Sequence, residues 1–297
     1  MSLFALQGAV ELGLAYSLLA IGLYISYRIV NVADLTVDGS FTLGAAACAV
    51  LAAGGHPLLG LAAALLCGAL AGMVTAFLQT KMGIPSILAG ILVMIGLYSV
   101  NLRVMGKPNV PLIGSETVFS LLSPVFAGGA KLIFTAALVA AIGFSVTAFF
   151  KTAIGLTIRA TGDNEEMVRS SSINSDFTKM LGLSAANALV ALSGAVIAEM
   201  QMFADANMGT GMVVIGLASI IIGETLLRRG GMARGILAAV AGSVLYRIII
   251  AQVLEMGMPQ SDLKLLSALI VALAIFLPTL SGRLRQQRRK REEKSHA

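Results

Sequence analysis

Nine stretches of this sequence are apolar enough to be read as membrane segments: about 4–26, 39–54, 58–78, 85–102, 132–150, 180–200, 211–227, 235–253 and 265–281. Several approach the ~20 apolar residues that cross the hydrocarbon core of a bilayer. Turn signals separate them, among them Gly54-Gly55-His56-Pro57, Gly83-Ile84-Pro85, Arg229-Gly230-Gly231 and Gly257-Met258-Pro259. Composition agrees: 57% of residues are hydrophobic and 12% charged, about half the charged fraction of a soluble domain. The chain reads as an all-α polytopic membrane protein, one domain over 1–282, and the soluble classes drop out. Its first apolar stretch is long enough to remain as a span, and no basic region precedes it.

The basic balance is local. The tail from Arg283 to Ala297 holds seven Lys/Arg and two Glu, so +5 of the net +6 lies there. That is topology and membrane-surface charge on a disordered cytoplasmic tail, with no nucleic-acid partner implied. Cationic residues also set the threading. Nine passes with the tail inside place five regions in the cytoplasm, around 27–38, 79–84, 151–179, 228–234 and the tail. These hold 16 of the 21 Lys/Arg, as the positive-inside rule requires. The N-terminus then lies outside, and 103–131 is the longest outward connection.

Two segments are too short for simple spans. Residues 39–54 and 211–223 are Gly-interrupted, and each follows a polar, acidic approach, "NVADLTVDGSF" (31–41) and "MFADANMGTGM" (202–212). The pair Gly39 and Gly44 has the spacing of Gly211 and Gly216. With 132–150 between segments 1–4 and 6–9, the halves have the arrangement of an inverted repeat, and short broken segments at matching positions mark transporter solute pathways. Asp34, Asp38, Gly39, Ser40, Asp205, Asn207, Gly209, Thr210 and Gly211 are the candidate pathway residues; helix capping alone also explains acidic residues there. Glu224 joins them as a carboxylate at depth, with Arg228 placed to pair with it at i,i+4.

Between the halves lies a charged island, "GLTIRATGDNEEMVRSSSINSDFTKMLG" (155–182), with seven charges. Asp163 or Asn164 can cap a short helix whose first turn carries Glu165 and Glu166, favoured by the dipole. Gly162 punctuates the entry, and Asn174 with Ser175 can end the element. A polar helix of two to three turns on the cytoplasmic side follows; a solvated loop that only sets topology is the plainer alternative.

The run "GLTIRATGDNEEMVRSSSIN…KMLGLSAANALVALSGAVIA" resembles the cytoplasmic loop of ABC-importer permeases of the branched-chain amino acid and ribose class. "VADLTVDGSFTLGAA" and "GIPSILAGIL" resemble a subgroup serving tryptophan, tyrosine or related solutes. Glu165 stands where Pro often occurs in that family, and Ser172 where Gly is usual. The resemblance implies a non-catalytic permease in the bacterial inner membrane, paired with a second copy of itself. It also implies two ATPase subunits below and an extracytoplasmic solute-binding protein above. A coupling helix within 151–179 would transmit ATPase closure through Arg159, Gly162, Asp163, Asn164, Glu165, Glu166 and Arg169. ATP and Mg would be bound by the ATPase, because this chain has no Gly-x-x-x-x-Gly-Lys-Ser/Thr run.

Other chemistry finds little support. The two histidines, His56 and His296, lie far apart in sequence, so no His-based metal centre is expected, and no Ser/His/Asp arrangement is credible. Cys48 and Cys67 sit in apolar surroundings without a disulfide or metal pattern. Gly68 and Gly72 allow close helix crossing, and Arg247 can snorkel outward. The competing reading is an ion-gradient-driven secondary transporter with Glu11, Asp34 or Glu224 as its ion site, since inverted repeats fit that class equally.

Overall fold

The computed structural model describes residues 2–123, 129–227, 230–257 and a few positions between 262 and 276. Its helices are α1 (Leu3–Leu23), α2 (Thr36–Ala53), α3 (Pro57–Thr80), α4 (Ser86–Met105), α5 (Val118–Leu122), α6 (Ala130–Phe149), α7 (Ala153–Asp163), α8 (Glu165–Ser170), α9 (Ser175–Gln201), α10 (Met212–Leu226) and α11 (Met232–Glu255). Two three-residue strands, β1 (Asn109–Pro111) and β2 (Phe203–Asp205), pair antiparallel with Val110 opposite Ala204.

Seven helical stretches among the described residues are long and apolar enough to span a bilayer: Leu3–Ile29, α2, α3, α4, Lys131–Phe149, α9 and α11. The seventh expected segment, 211–227, is helical as α10 but only 15 residues long. The ninth, 265–281, lies partly outside the described residues; 265–270 are helical, and Tyr246 donates a 2.7 Å hydrogen bond to Ser267 there. The basic tail lies outside the described residues altogether. The all-α polytopic architecture therefore stands, with seven span-length helices among the described residues; α2, expected to be too short over 39–54, begins earlier at Thr36, runs for 18 residues and is one of them.

Small residues decide which helices form the centre. α2 and α9 are the most buried spans, whereas the Lys131–Phe149 span is the least. A side chain at Gly68 would reach within 2.4 Å of the Asn187 carbonyl, and one at Gly72 within 2.3 Å of the Leu183 carbonyl. The Gly68/Gly72 pair thus packs α3 onto α9 within the chain, where dispersion contacts between close backbones replace the hydrophobic effect. Large apolar side chains on the outer helices, such as Leu66, Leu70 and Phe144, are exposed, as expected where lipid is the solvent.

Two helices carry breaks. α1 continues as a π-helical turn over Tyr24–Ile29, closed by the i→i+5 bond from Val30 N–H to the Ile25 carbonyl. The chain then leaves helix at 30–35 and re-enters it as α2. After α9, the chain pairs through β2 and turns at 206–211 before α10. Arg247 does not snorkel: its guanidinium lies 3.5 Å from the centre of the Tyr16 ring, a cation–π contact inside the bundle.

Candidate functional site

The two polar approaches, 31–41 and 202–212, converge. Asp38, in the first turn of α2, accepts hydrogen bonds from Gly211 N–H (2.8 Å) and Val213 N–H (2.9 Å). The start of α10 leaves backbone N–H groups without intrahelical partners, and its dipole favours a negative charge there. Asp38 supplies both needs from another helix. The Thr42 hydroxyl accepts from Gly209 N–H at 3.0 Å, while a side chain at Gly209 would lie 2.0 Å from the Asp38 carbonyl. Gly211 adopts φ +86°, a left-handed turn for which glycine has no steric penalty.

A cleft of about 430 Å³ opens at this junction, lined by Asp38, Gly39 and Thr42 from α2, Met94, Ile95, Tyr98, Ser99 and Asn101 from α4, and Ala206, Asn207 and Thr210 from the turn before α10. Asp38, Gly39, Asn207 and Thr210 are thus brought together as candidate pathway residues. Others are placed elsewhere. Asp34 and Ser40 do not line the cleft and are buried on Asn187, which donates to Asp34 (2.6 Å) and accepts from Ser40 (2.7 Å). Asp205 sits in β2 and accepts from Asn207 N–H. Glu224 is paired with Arg28 at 2.5 Å in a separate recess with Tyr24 and Arg234; Arg228, its expected partner, lies outside the described residues.

The charged island folds as two helices where one was expected. α7 is amphipathic, with Gly155, Ile158 and Thr161 buried, and α8 has only six residues. Asn164 is the cap of α8, accepting from Met167 N–H at 3.0 Å, so Asp163 ends α7 and does not cap. Gly162 is no entry turn either: it lies in α7 with space for a side chain closed off by the Ile29 carbonyl, 1.8 Å from where Cβ would stand. Asn174 begins α9, accepting from Asp176 and Phe177 N–H. Its short side chain serves a helix start as readily as a stop, which is why sequence left its direction open.

Charges in this loop divide into two groups. Glu165 bonds Lys179 (2.5 Å) and Arg169 (2.9 Å), and Asp176 bonds Lys81 (3.0 Å). Arg169 also donates to Ser175 at 2.8 Å. Partial burial would raise the Glu165 carboxyl, but the Lys179 ammonium, the Ser175 hydroxyl and Arg169 outweigh it and hold the carboxyl below its usual range. Arg159, Asp163 and Glu166 remain exposed, as does Met167, while Val168 faces inward.

The helix α9 links these regions through three polar residues, of which sequence reasoning counted Lys179 among the island's charges and missed Asn187 and Glu199. Lys179 is in the cytoplasmic knot, Asn187 holds Asp34 and Ser40, and Glu199 near the far end is 1% exposed. Glu199 accepts from Cys48 Sγ (3.2 Å) and Val118 N–H (2.8 Å), tying α2 and α5 to α9. From Lys179 to Glu199 is roughly 30 Å along the axis. A lone amide or carboxylate inside an apolar run was the available signal for Asn101, Asn187 and Glu199.

Known proteins decide the family. Residues 6–278 match the family described as the permease component of branched-chain amino acid transport systems. The chain belongs to that family. It is a multi-pass permease of the ABC-transporter class, and such proteins occupy the inner membrane in bacteria. This permease is 40% identical to the tyrosine transport system permease protein of Clostridioides difficile (strain R20291), over 87% of this chain and 86% of that one. It is 34% identical to the uncharacterized protein RP368 of Rickettsia prowazekii (strain Madrid E), over 90% and 95%. More distantly, it is 29% identical to the autoinducer 2 import system permease LsrC of Escherichia coli (strain K12 / DH10B), over 61% and 52%. No solved structure matches it.

Proposed function

We propose that this permease is the membrane subunit of an ABC importer for an amino acid, aromatic in the first instance, delivered by an extracytoplasmic binding protein. Two copies would enclose one pathway. Two separate ATPases, which would bind the ATP and Mg, dock from below. The observation that carries the reading is the arrangement of 153–179. α8 turns Val168 inward and leaves Glu166 and Met167 exposed, as is Asp163 at the end of α7, while Glu165 is bolted to Lys179 at the foot of α9.

Force applied to α8 has two routes into the membrane. One runs through the Glu165–Lys179 pair along α9 to Asn187 and Glu199, and so to α2 and α5. The other runs through Gly162, seated on the Ile29 carbonyl at the end of the π-helical turn. Both reach the non-helical stretch 30–35 that precedes Asp38. The elements α2 and α10, each entered after a break in the helix before it, are read as corresponding members of an inverted pair, with the Asp38 junction between them and the solute cleft beside it.

The substrate class is supported by the Clostridioides difficile relative and by a cleft of amino-acid size. The test is reconstitution of the permease with its ATPase and binding protein in liposomes. ATP-dependent uptake of L-tyrosine or a related amino acid is expected, together with no accumulation by the permease alone under a proton or sodium gradient. Accumulation by the permease alone would instead support an ion-driven carrier.

A further inference from the structure

Asn101 is the most deeply buried polar side chain on the wall of the cleft, at 1% exposure. Its orientation is fixed by chemistry. Nδ2 donates to the Gly39 carbonyl at 3.3 Å, and the reversed amide would set two acceptors against each other. The consequence is that Oδ1 is buried with no hydrogen-bond partner among the described residues. A buried acceptor left unmet is costly, and unmet groups of this kind in native structures call for a specific explanation.

The surrounding chemistry indicates what would meet it. The cleft carries one carboxylate, Asp38, each of whose oxygens accepts one backbone N–H and retains further accepting capacity. None of its lining residues is Lys or Arg. Donor groups lie on the more exposed residues Ser99, Asn207 and Thr210, and an apolar wall is formed by Met94, Ile95 and the Tyr98 ring. About 430 Å³ lies within the ordinary range of small-molecule sites.

The geometry points to a subsite for the ammonium group of an amino acid between Asp38 and Asn101 Oδ1, with the solute side chain against Met94, Ile95 and Tyr98. The solute carboxylate turns away from Asp38 toward the donors of Ser99, Asn207 and Thr210. Asn101 thereby sets specificity for a primary amine, which no relative's name assigns to it. The inference rests on the amino-acid transport reading and deepens it.

The experiment uses the permease–ATPase complex in lipid nanodiscs without the binding protein, so that the receptor's own selectivity is absent. Saturation-transfer NMR is recorded with L-tyrosine and L-leucine, each beside its deaminated counterpart. Transfer to at least one amino acid is expected, with its counterpart roughly tenfold weaker, the loss of one charge-assisted contact. Asn101→Leu should lose the amino-acid signal to a similar degree, and Asn101→Asp, which keeps an acceptor, should retain it. Equal signals from amine and counterpart, no transfer to either amino acid, or an unaffected Asn101→Leu would overturn the subsite. Should Asn101→Leu fail to assemble, the comparison of compounds on the natural chain decides. Uptake by the full system separates the two readings: uptake of an amino acid with no amine preference in the cleft removes only the subsite, and no uptake of amino acids removes the transport reading.

Discussion

Asp38 and Gly211 are joined by a 2.8 Å hydrogen bond across 173 residues of sequence, and the same carboxylate holds Val213 N–H at 2.9 Å. One side chain in the first turn of α2 therefore completes the start of α10. The two helices cannot separate without exposing backbone N–H groups to an apolar interior, where each unmet donor is expensive.

Asp38→Ala removes both acceptors and is expected to destabilise the permease by about 3–6 kcal/mol, the range for two hydrogen bonds to a charged group. Asp38→Asn, which keeps one acceptor, should lose about half of that. Chemical denaturation in detergent, followed by the loss of helix, measures both. Equal stability of Asp38→Ala and the natural protein would show that the junction contributes nothing.

Acid should loosen the cytoplasmic knot late. The Glu165 carboxyl is held below its ordinary value of 4.5, so its contribution is complete above that pH and is lost as pH falls through the lowered folded value. Hydrogen exchange in α8 and at the start of α9 should stay protected from neutral pH down to the usual carboxylate range and rise only beneath it. Glu165→Gln should abolish that step. Release already at pH 6 would contradict the assignment.

A side chain at Gly162 would collide with the Ile29 carbonyl. Gly162→Val is therefore expected to cost about 1–3 kcal/mol through overpacking and to reduce transport more than ATPase docking, because the damage lies between α7 and the π-helical turn. Uptake and ATPase pull-down on the same preparation check this. Normal uptake would remove Gly162 from the transmission route.

The architecture was legible where long apolar runs meet turn residues; α3, α4, α9 and α11 follow the sequence segments closely. The paired breaks before α2 and α10 were legible too, from Gly interruptions and acidic approaches. Their convergence was not, because a capping carboxylate looks the same in sequence whether it serves its own helix or one 173 residues away. Asn164 and Asn174 show the limit from another side: both were recognisable as boundary residues, yet only geometry shows that each starts a helix. Asn101, Asn187 and Glu199 went unread because a single polar residue in an apolar span carries no pattern of its own.

Exposed charges on the loop should matter to partners more than to folding. Asp163→Lys with Glu166→Lys is expected to leave thermal stability within about 0.5 kcal/mol, as surface changes usually do, while uncoupling ATP hydrolysis from uptake. Unchanged uptake would place the ATPase contact elsewhere.

The most direct test replaces Glu166 with a photo-crosslinking residue in the assembled transporter. An adduct with the ATPase subunit, altered in yield between ATP-bound and nucleotide-free states, is the predicted result. Adducts only with lipid or solvent, in a complex that still transports, would contradict the role of α8 as the element the ATPase moves.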